Sequence, residues 1–137
     1  MYIHRNITGY LNRMLTKFPV VSLTGPRQSG KTTLLKKEFG QFRYFSLERT
    51  DHREMIASDP NGFLKQIGPG VIFDEAQRFP ELFNYIQVIS DERGTPGQYI
   101  LSGSQSFLLS ERISQSLAGR VSINHLFPFD FSEIHTH

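Results

Sequence analysis

The segment VVSLTGPRQSGKTT, at residues 20–33, decides the fold that this sequence predicts. Its β-branched beginning predicts a short buried strand, and residues 25–32 match the pattern G-x-x-x-x-G-K-[ST]. Residues 31–39, KTTLLKKEF, predict a helix that stops at Gly40. Because strand, loop and helix follow in the order that this pattern requires, we interpret the segment as a phosphate-binding loop.

Each fixed position of the loop has a chemical reason. Gly25 and Gly30 permit backbone geometries that bring successive N–H groups around a phosphate, and the following helix directs its positive end to the same anion. Lys31 places a positive charge between the β- and γ-phosphates of a nucleotide, and the Thr32 hydroxyl ligates Mg²⁺. The alternative is a glycine-containing turn that matches the pattern by accident.

Three less specific positions of the same segment are further candidates for nucleotide contacts. Gln28 and Ser29 lie inside the loop, and Thr33 follows Thr32 in the predicted helix. For Arg27 the sequence leaves two alternatives, contact with a phosphate or a partner, or a solvated position in the loop.

A second candidate is the acidic pair Asp74 and Glu75, which follows the apolar run at residues 71–73. Adjacent carboxylates at the end of a buried strand are unfavourable unless a cation compensates them. We therefore predict that Asp74 holds Mg²⁺ through water, and that Glu75 orients and polarises the attacking water. The alternative is that both acids cap the following helix.

The segments next to the last two strands add three candidates. Ser102 and Ser104 follow the predicted strand at residues 99–101, where they are placed to hydrogen-bond the γ-phosphate or the attacking water. Ordinary turn chemistry is the alternative for both serines. Arg120 precedes the fifth strand and is a candidate arginine finger, with a structural ion pair as the alternative.

The remaining sequence predicts helices that alternate with short apolar strands. Helices are predicted over residues 3–18, 31–39, 50–69 with a break at 59–62, 81–90 and 106–117, and strands over 20–24, 42–47, 71–73, 99–101 and 120–126. This alternation favours an α/β fold, a three-layer sandwich with a mostly parallel five-stranded sheet. We interpret residues 42–47 as the additional strand that separates the phosphate-loop strand from the acidic strand.

The composition is that of one soluble globular domain. The chain has 137 residues, of which 38% are hydrophobic, and it contains no cysteine, which excludes disulfides, thiolate zinc sites and cysteine nucleophiles. No apolar run approaches the ~20 residues of a membrane helix, and the first residues lack a secretory signal. We therefore expect a cytoplasmic protein that does not contact a membrane.

The charge is distributed unevenly along the chain. Residues 1–50 contain nine Lys and Arg against two Glu, whereas residues 51–137 contain six basic against eleven acidic residues. A basic half indicates an anionic partner, either nucleic acid or nucleotide phosphate. Much of the excess lies around the phosphate loop, and the sequence contains no zinc-finger or RNA-binding signature, so nucleic acid stays an open alternative without a supporting motif.

Five segments together resemble a prokaryotic family of AAA-type ATPases. They are GPRQSGKTTLL (25–35), DEAQRFPELF (74–83), LSGSQSFLL (101–109), SLAGRV (116–121) and FPFDFSEI (127–134). The second and fourth segments are more specific than the phosphate loop, because general P-loop proteins lack them. The resemblance implies that ATP and Mg²⁺ bind through Gly30, Lys31, Thr32 and Asp74, with Glu75 as the catalytic acidic residue.

In that family a helical lid and a C-terminal domain follow the AAA domain, whereas this sequence stops at His137. We interpret residues 1–137 as the AAA core without its lid and effector domain. The expected function is Mg²⁺-dependent ATP hydrolysis, weak in this form and coupled to an unknown process, with a homo-oligomer as a candidate assembly. A nucleotide-binding fragment without turnover and a nucleic-acid-associated ATPase are the alternatives. GTPase activity is disfavoured because no N-K-x-D segment occurs.

Overall fold

Strands and helices alternate along the chain, as the hydrophobic pattern predicts. The computed structural model describes residues 5–26, 30–104 and 106–126. The described helices are α1 (Arg5–Leu15), α2 (Lys31–Glu38), α3 (Thr50–Ser58), α4 (Pro60–Ile67), α5 (Leu82–Arg93) and α6 (Ser106–Ser116). The described strands are β1 (Val20–Thr24), β2 (Arg43–Ser46), β3 (Val71–Asp74), β4 (Tyr99–Gly103) and β5 (Val121–His125).

The five strands form one sheet in the order β2-β3-β4-β1-β5, and every pairing in it is parallel. In the register, Val20 of β1 lies beside Tyr99 of β4 on one side and beside Val121 of β5 on the other. All carboxyl ends therefore meet at one edge of the sheet. The prediction of an α/β fold with a parallel five-stranded sheet is confirmed.

One prediction about the sheet is wrong. The strand that separates β1 from β3 is β4, whereas residues 42–47, predicted to separate them, contribute β2 at the edge beside β3. The physical reason is exposure: all five residues of β4 are buried, while Arg43 of β2 is exposed and the rest of that strand is only half-buried. A central strand must be apolar on both faces, and an edge strand need not be.

Helices cover both faces of the sheet. Alternate residues of each strand point to opposite faces, so Ile72 packs beside α1 and α2 while Val71 and Phe73 pack beside α3 to α6. The core beside α1 and α2 is formed by Leu11, Val21, Leu23, Leu34, Leu35, Phe39, Ile72, Ile100 and Leu126. The three-layer arrangement follows from these two cores.

The break between α3 and α4 is shorter than predicted. It consists of Asp59 alone, because Pro60 is the first residue of α4 and residues 61–62 continue that helix. Proline suits a helical N-terminus, where its missing N–H is not needed, and the Asp59 carboxylate accepts a hydrogen bond from the Gly62 N–H at 3.1 Å. A Cβ at Gly62 would lie 2.2 Å from the Asp59 carboxylate, which explains the glycine.

The N-terminal helix is also shorter than predicted, since α1 ends at Leu15 and the next residues form a turn in which the Phe18 N–H bonds the Met14 carbonyl. Residues 3–4 of its predicted range lie outside the described residues. No helix in the described part of the chain combines the length and apolarity that crossing a membrane requires.

Candidate functional site

Polar side chains from three neighbouring strands meet at the carboxyl edge of the sheet. The phosphate loop follows β1, the acidic pair ends β3, and Ser102 and Ser104 end β4. The loop is joined to β4 by a hydrogen bond from the Gly25 N–H to the Gly103 carbonyl at 3.0 Å. Parallel pairing thus brings together residues that lie far apart in the sequence.

Lys31 is the centre of this site. It is the first residue of α2 and is 2% exposed, and Gly30 before it has φ 82°, a left-handed conformation that favours glycine. The Lys31 Nζ lies 3.0 Å from Asp74 Oδ1 and 3.1 Å from Glu75 Oε2. The ammonium group therefore bridges both members of the acidic pair.

Asp74 accepts hydrogen bonds from several elements. The Thr32 hydroxyl donates to Oδ2 at 2.8 Å, the Ser102 hydroxyl donates to Oδ1 at 2.6 Å, and the Tyr44 hydroxyl also donates to Oδ2. Burial raises the pKa of Asp74, but the bonds from Ser102 and Tyr44 and the charge of Lys31 outweigh burial and lower that pKa to about 2. Asp74 is therefore an anion at neutral pH.

Glu75 has different partners on its two carboxylate oxygens. Gln77 Nε2 and Ser104 Oγ each donate to Oε1 at 2.8 Å, while Oε2 faces Lys31. Burial raises the pKa of Glu75, but the bonds from Gln77 and Ser104 and the charge of Lys31 lower it below its usual value. Glu75 also has φ 53° and ψ 45°, a left-handed conformation found at no other non-glycine residue in the described ranges. Such conformations cluster at functional sites.

The oxygen donors of the site suit a magnesium ion. The Thr32 hydroxyl and the Asp74 carboxylate are hard ligands and lie in contact with each other, and Mg²⁺ keeps several waters and needs only one or two protein ligands beside phosphate. Among the described residues, no three His, Cys, Asp or Glu side chains converge to form a metal cage. The donor set thus fits a metal that is shared with a phosphate.

Comparison with known proteins identifies the family. A family model described as an AAA domain matches residues 17–135. The chain belongs to this AAA-domain family. Two mycobacterial proteins, the uncharacterized proteins Rv2008c of Mycobacterium tuberculosis and Mb2031c of Mycobacterium bovis, are each 37% identical over 125 residues, covering 89% of this chain. The match to this chain covers only 28% of the length of these relatives.

A solved structure supports the architecture. The Walker-type ATPase PABY2304 of Pyrococcus abyssi is similar to the AAA domain with a TM-score of 0.65 over 95% of this chain and 55% of its own. The two sequences are 19% identical, so this likeness concerns the fold alone.

The AAA domain brings together eight of the predicted site residues, and their roles stay predictions. These residues are Gly25, Gly30, Lys31, Thr32, Asp74, Glu75, Ser102 and Ser104. Thr33 is exposed on α2. Gln28 and Ser29 lie outside the described residues.

Arg120 lies at the amino ends of the strands, whereas the acidic pair lies at their carboxyl ends. The Arg120 carbonyl accepts a hydrogen bond from the Val20 N–H at the start of β1, whereas Lys31 follows the end of that strand. The Arg120 Nε lies 2.7 Å from Asp91 Oδ1 of α5, so the predicted alternative, an ion pair, is present. The length of β1, about 13 Å, separates Arg120 from Lys31, and the role of Arg120 as an arginine finger stays a prediction.

Sequence reasoning missed Tyr44 and Gln77, which both contact the acidic pair. Tyr44 lies on β2 and bonds Asp74, and burial together with this bond raises its pKa above the usual value. Pairing between β2 and β3 brings Tyr44 beside the acid, and no local pattern reveals that contact. A signal for Gln77 exists in the sequence, because this residue belongs to the DEAQR segment that carries the family resemblance.

Proposed function

We propose that this AAA domain binds Mg·ATP and hydrolyses it. The observation that carries the proposal is the contact of Lys31 and Thr32, from the phosphate loop, with the ionised pair Asp74 and Glu75. A cation, a hydroxyl and two carboxylates at a helix N-terminus are the groups that phosphoryl transfer to water requires.

Nucleotide binding changes the partner of Lys31. Its ammonium group, which now bonds two carboxylates, turns to the β- and γ-phosphates, because these offer it a denser negative charge. The Thr32 hydroxyl and Asp74 then face the metal, and Ser102 and Tyr44 keep the Asp74 carboxylate in place. Bound Mg²⁺ neutralises charge on the phosphate oxygens.

Glu75 supplies the base for hydrolysis. With Lys31 beside it, the pKa of Glu75 lies below its usual value and the carboxylate is ionised, and the departure of Lys31 removes one cause of that lowering and makes Glu75 a stronger base. Ser104 holds Glu75 Oε1 at 2.8 Å and thereby fixes the direction of the other oxygen. A charged donor is withdrawn from Oε2 when Lys31 moves to the phosphates, so the base becomes available only with nucleotide present.

We further propose that the AAA domain transmits turnover to other parts of a longer protein, since the relatives extend well beyond the region it matches. A second copy of the domain is the partner that Arg120 requires in order to act on a nucleotide.

The decisive experiment is a titration of a fluorescent ATP analogue in the presence of Mg²⁺. Lys31→Ala removes the charge fixed at the β- and γ-phosphates, and we expect its affinity to fall by at least a factor of ten. Lys65→Ala, which removes an exposed lysine of α4, is the matched control. Equal affinity of the wild type and Lys31→Ala would overturn the assignment of the phosphate loop.

A further inference from the structure

Gln77 contacts the base of the proposed reaction. It lies in a short 3₁₀ turn, Ala76–Arg78, directly after the acidic pair. Its Nε2 donates to Glu75 Oε1 at 2.8 Å and lies 3.5 Å from Ser104 Oγ. The turn is held in place by a hydrogen bond from the Arg78 N–H to the Glu75 carbonyl at 3.1 Å. Gln77 therefore belongs to the same cluster as the two predicted residues Glu75 and Ser104.

The contact with Glu75 fixes the orientation of the Gln77 amide. An ionised carboxylate only accepts hydrogen bonds, so the NH₂ group must face Glu75 and the carbonyl oxygen must point elsewhere. That oxygen, Gln77 Oε1, is buried and has no hydrogen-bond partner, and no other buried side-chain nitrogen or oxygen in the described ranges is left in this state. A buried acceptor without a donor is unfavourable, and a water molecule that donates to this oxygen would remove the penalty.

The two oxygens of Glu75 define where that donor is needed. Oε1 already accepts from Gln77 and Ser104, whereas Oε2 accepts only from Lys31 among the described contacts. Once Lys31 turns to phosphate, Oε2 is the free oxygen that accepts a proton from water. A water molecule has two O–H groups, so holding it for attack in one orientation requires a second acceptor beside Glu75.

We propose that Gln77 orients the attacking water through its Oε1 while its Nε2 holds Glu75; this rests on the proposed hydrolysis of ATP. The water oxygen bonds the γ-phosphorus as the bond to the leaving ADP oxygen breaks. One water proton passes to Glu75 Oε2. The other proton stays on the water oxygen that has bonded the phosphorus and is hydrogen-bonded to Gln77 Oε1. Glu75 then releases its proton to solvent.

The test compares single-turnover hydrolysis of ATP with the affinity for a non-hydrolysable ATP analogue. Gln77→Met removes donor and acceptor at nearly constant side-chain length, and we expect hydrolysis to slow 10- to 100-fold with affinity within twofold of the wild type. Gln66→Met, at an exposed position of α4, is the matched control with unchanged hydrolysis.

Ser104→Ala separates orientation of water from support of Glu75. It removes the other donor to Glu75 Oε1 and leaves the Gln77 acceptor in place, so we expect a smaller loss of hydrolysis than Gln77→Met causes. Equal losses in the two variants, or hydrolysis by Gln77→Met within twofold of the wild type, would overturn the role in water orientation.

If Gln77 has a purely structural role, its substitution lowers nucleotide affinity, stability and hydrolysis together. If Gln77→Met lowers the analogue affinity and the melting temperature together with hydrolysis, the proposal fails. If that variant does not fold, Gln77→Asn takes its place, because it keeps the amide but withdraws it by one methylene and is expected to slow hydrolysis at unchanged affinity. A wild-type protein that neither binds nor hydrolyses ATP refutes the proposed function itself, and the analogue titration reveals this before any variant is compared.

Discussion

At the scale of single residues, the proposed hydrolysis depends on the ionised carboxylate of Glu75. Its Oε2 faces Lys31 at 3.1 Å, and its Oε1 is held by two neutral donors. Neutral hydrogen bonds therefore hold one oxygen of the proposed base, and the charge of Lys31 holds the other. Replacement by an amide keeps the shape and one accepting oxygen for Gln77 and Ser104, places an NH₂ group at the second oxygen, and removes the basicity.

We expect Glu75→Gln to retain Mg·ATP and to lose hydrolysis by a factor of about 10²–10⁴, because an amide cannot accept the proton of water. Phosphate release at saturating Mg·ATP measures the loss, and analogue binding measures the retention. Glu54→Gln, at an exposed position of α3, is the matched control. Hydrolysis by Glu75→Gln at the wild-type rate would refute the role of the acidic pair.

Asp74→Asn tests the neighbouring carboxylate. Asparagine offers one neutral oxygen where a carboxylate offers two charged ones, so we expect binding of nucleotide to depend less strongly on Mg²⁺. The measurement is an ATP titration repeated over a series of Mg²⁺ concentrations. Unchanged Mg²⁺ dependence would contradict the assignment of Asp74 as a metal ligand.

Most residues of the candidate site could be predicted, because short sequence patterns identify them. The loop pattern identifies Lys31 and Thr32, and an apolar run that ends in two acids identifies Asp74 and Glu75. Tyr44 could not be found in this way, since its contact with Asp74 exists only after β2 pairs with β3.

At the scale of elements, the positions of strands follow from sequence more readily than their order in the sheet. All five strands are where apolar runs predict them, but the place of β2 at the edge depends on small differences in exposure. Arg43 of β2 is exposed, and its guanidinium bonds the Ile67 carbonyl, whereas β4 has no charged residue. An arginine inside a predicted strand is therefore the signal that favours an edge.

Substitutions of Asp59 test how the one-residue break between α3 and α4 is stabilised. Its carboxylate caps α4 by accepting from the Gly62 N–H, so we expect Asp59→Ala to lower the free energy of unfolding by about 1 kcal/mol. Urea denaturation measures the change. Asp59→Asn preserves an accepting oxygen and is expected to retain most of the stability. Equal losses in both variants would show that the cap is not the source of the effect.

At the scale of the whole molecule, several basic residues of the first half of the chain form contacts within the protein. Lys31 bonds the acidic pair, Lys36 lies 4.7 Å from the centre of the Tyr44 ring, and Arg49 pairs with Asp51. Contacts within the fold therefore account for part of the charge imbalance that indicates an anionic partner in the sequence.

Arg120 and the proposed nucleotide site lie at opposite ends of the parallel strands, so a finger role would require two copies. We expect activity per subunit to rise with protein concentration, and a mixture of Arg120→Ala with Glu75→Gln to regain some of the hydrolysis that each lacks. The regained sites combine Glu75 of one copy with Arg120 of the other.

Asp91→Ala is the matched variant for this experiment, because it breaks the same ion pair and leaves Arg120 in place. Activity that does not depend on concentration, together with equal effects of Arg120→Ala and Asp91→Ala on the melting temperature, would favour a structural ion pair.

The burial of Lys31 ties the stability of the domain to the proposed nucleotide site. One ammonium group stands against two carboxylates, all three nearly inaccessible to water, with side-chain exposures of 3%, 3% and 7%. Replacing this lysine by a neutral residue leaves two neighbouring buried anions without compensation, and losing one partner of a buried pair typically costs about 3–5 kcal/mol. Thermal unfolding of the nucleotide-free Lys31→Ala protein should therefore begin at a lower temperature than that of the wild type, and added Mg²⁺ should recover part of the difference by supplying the missing positive charge.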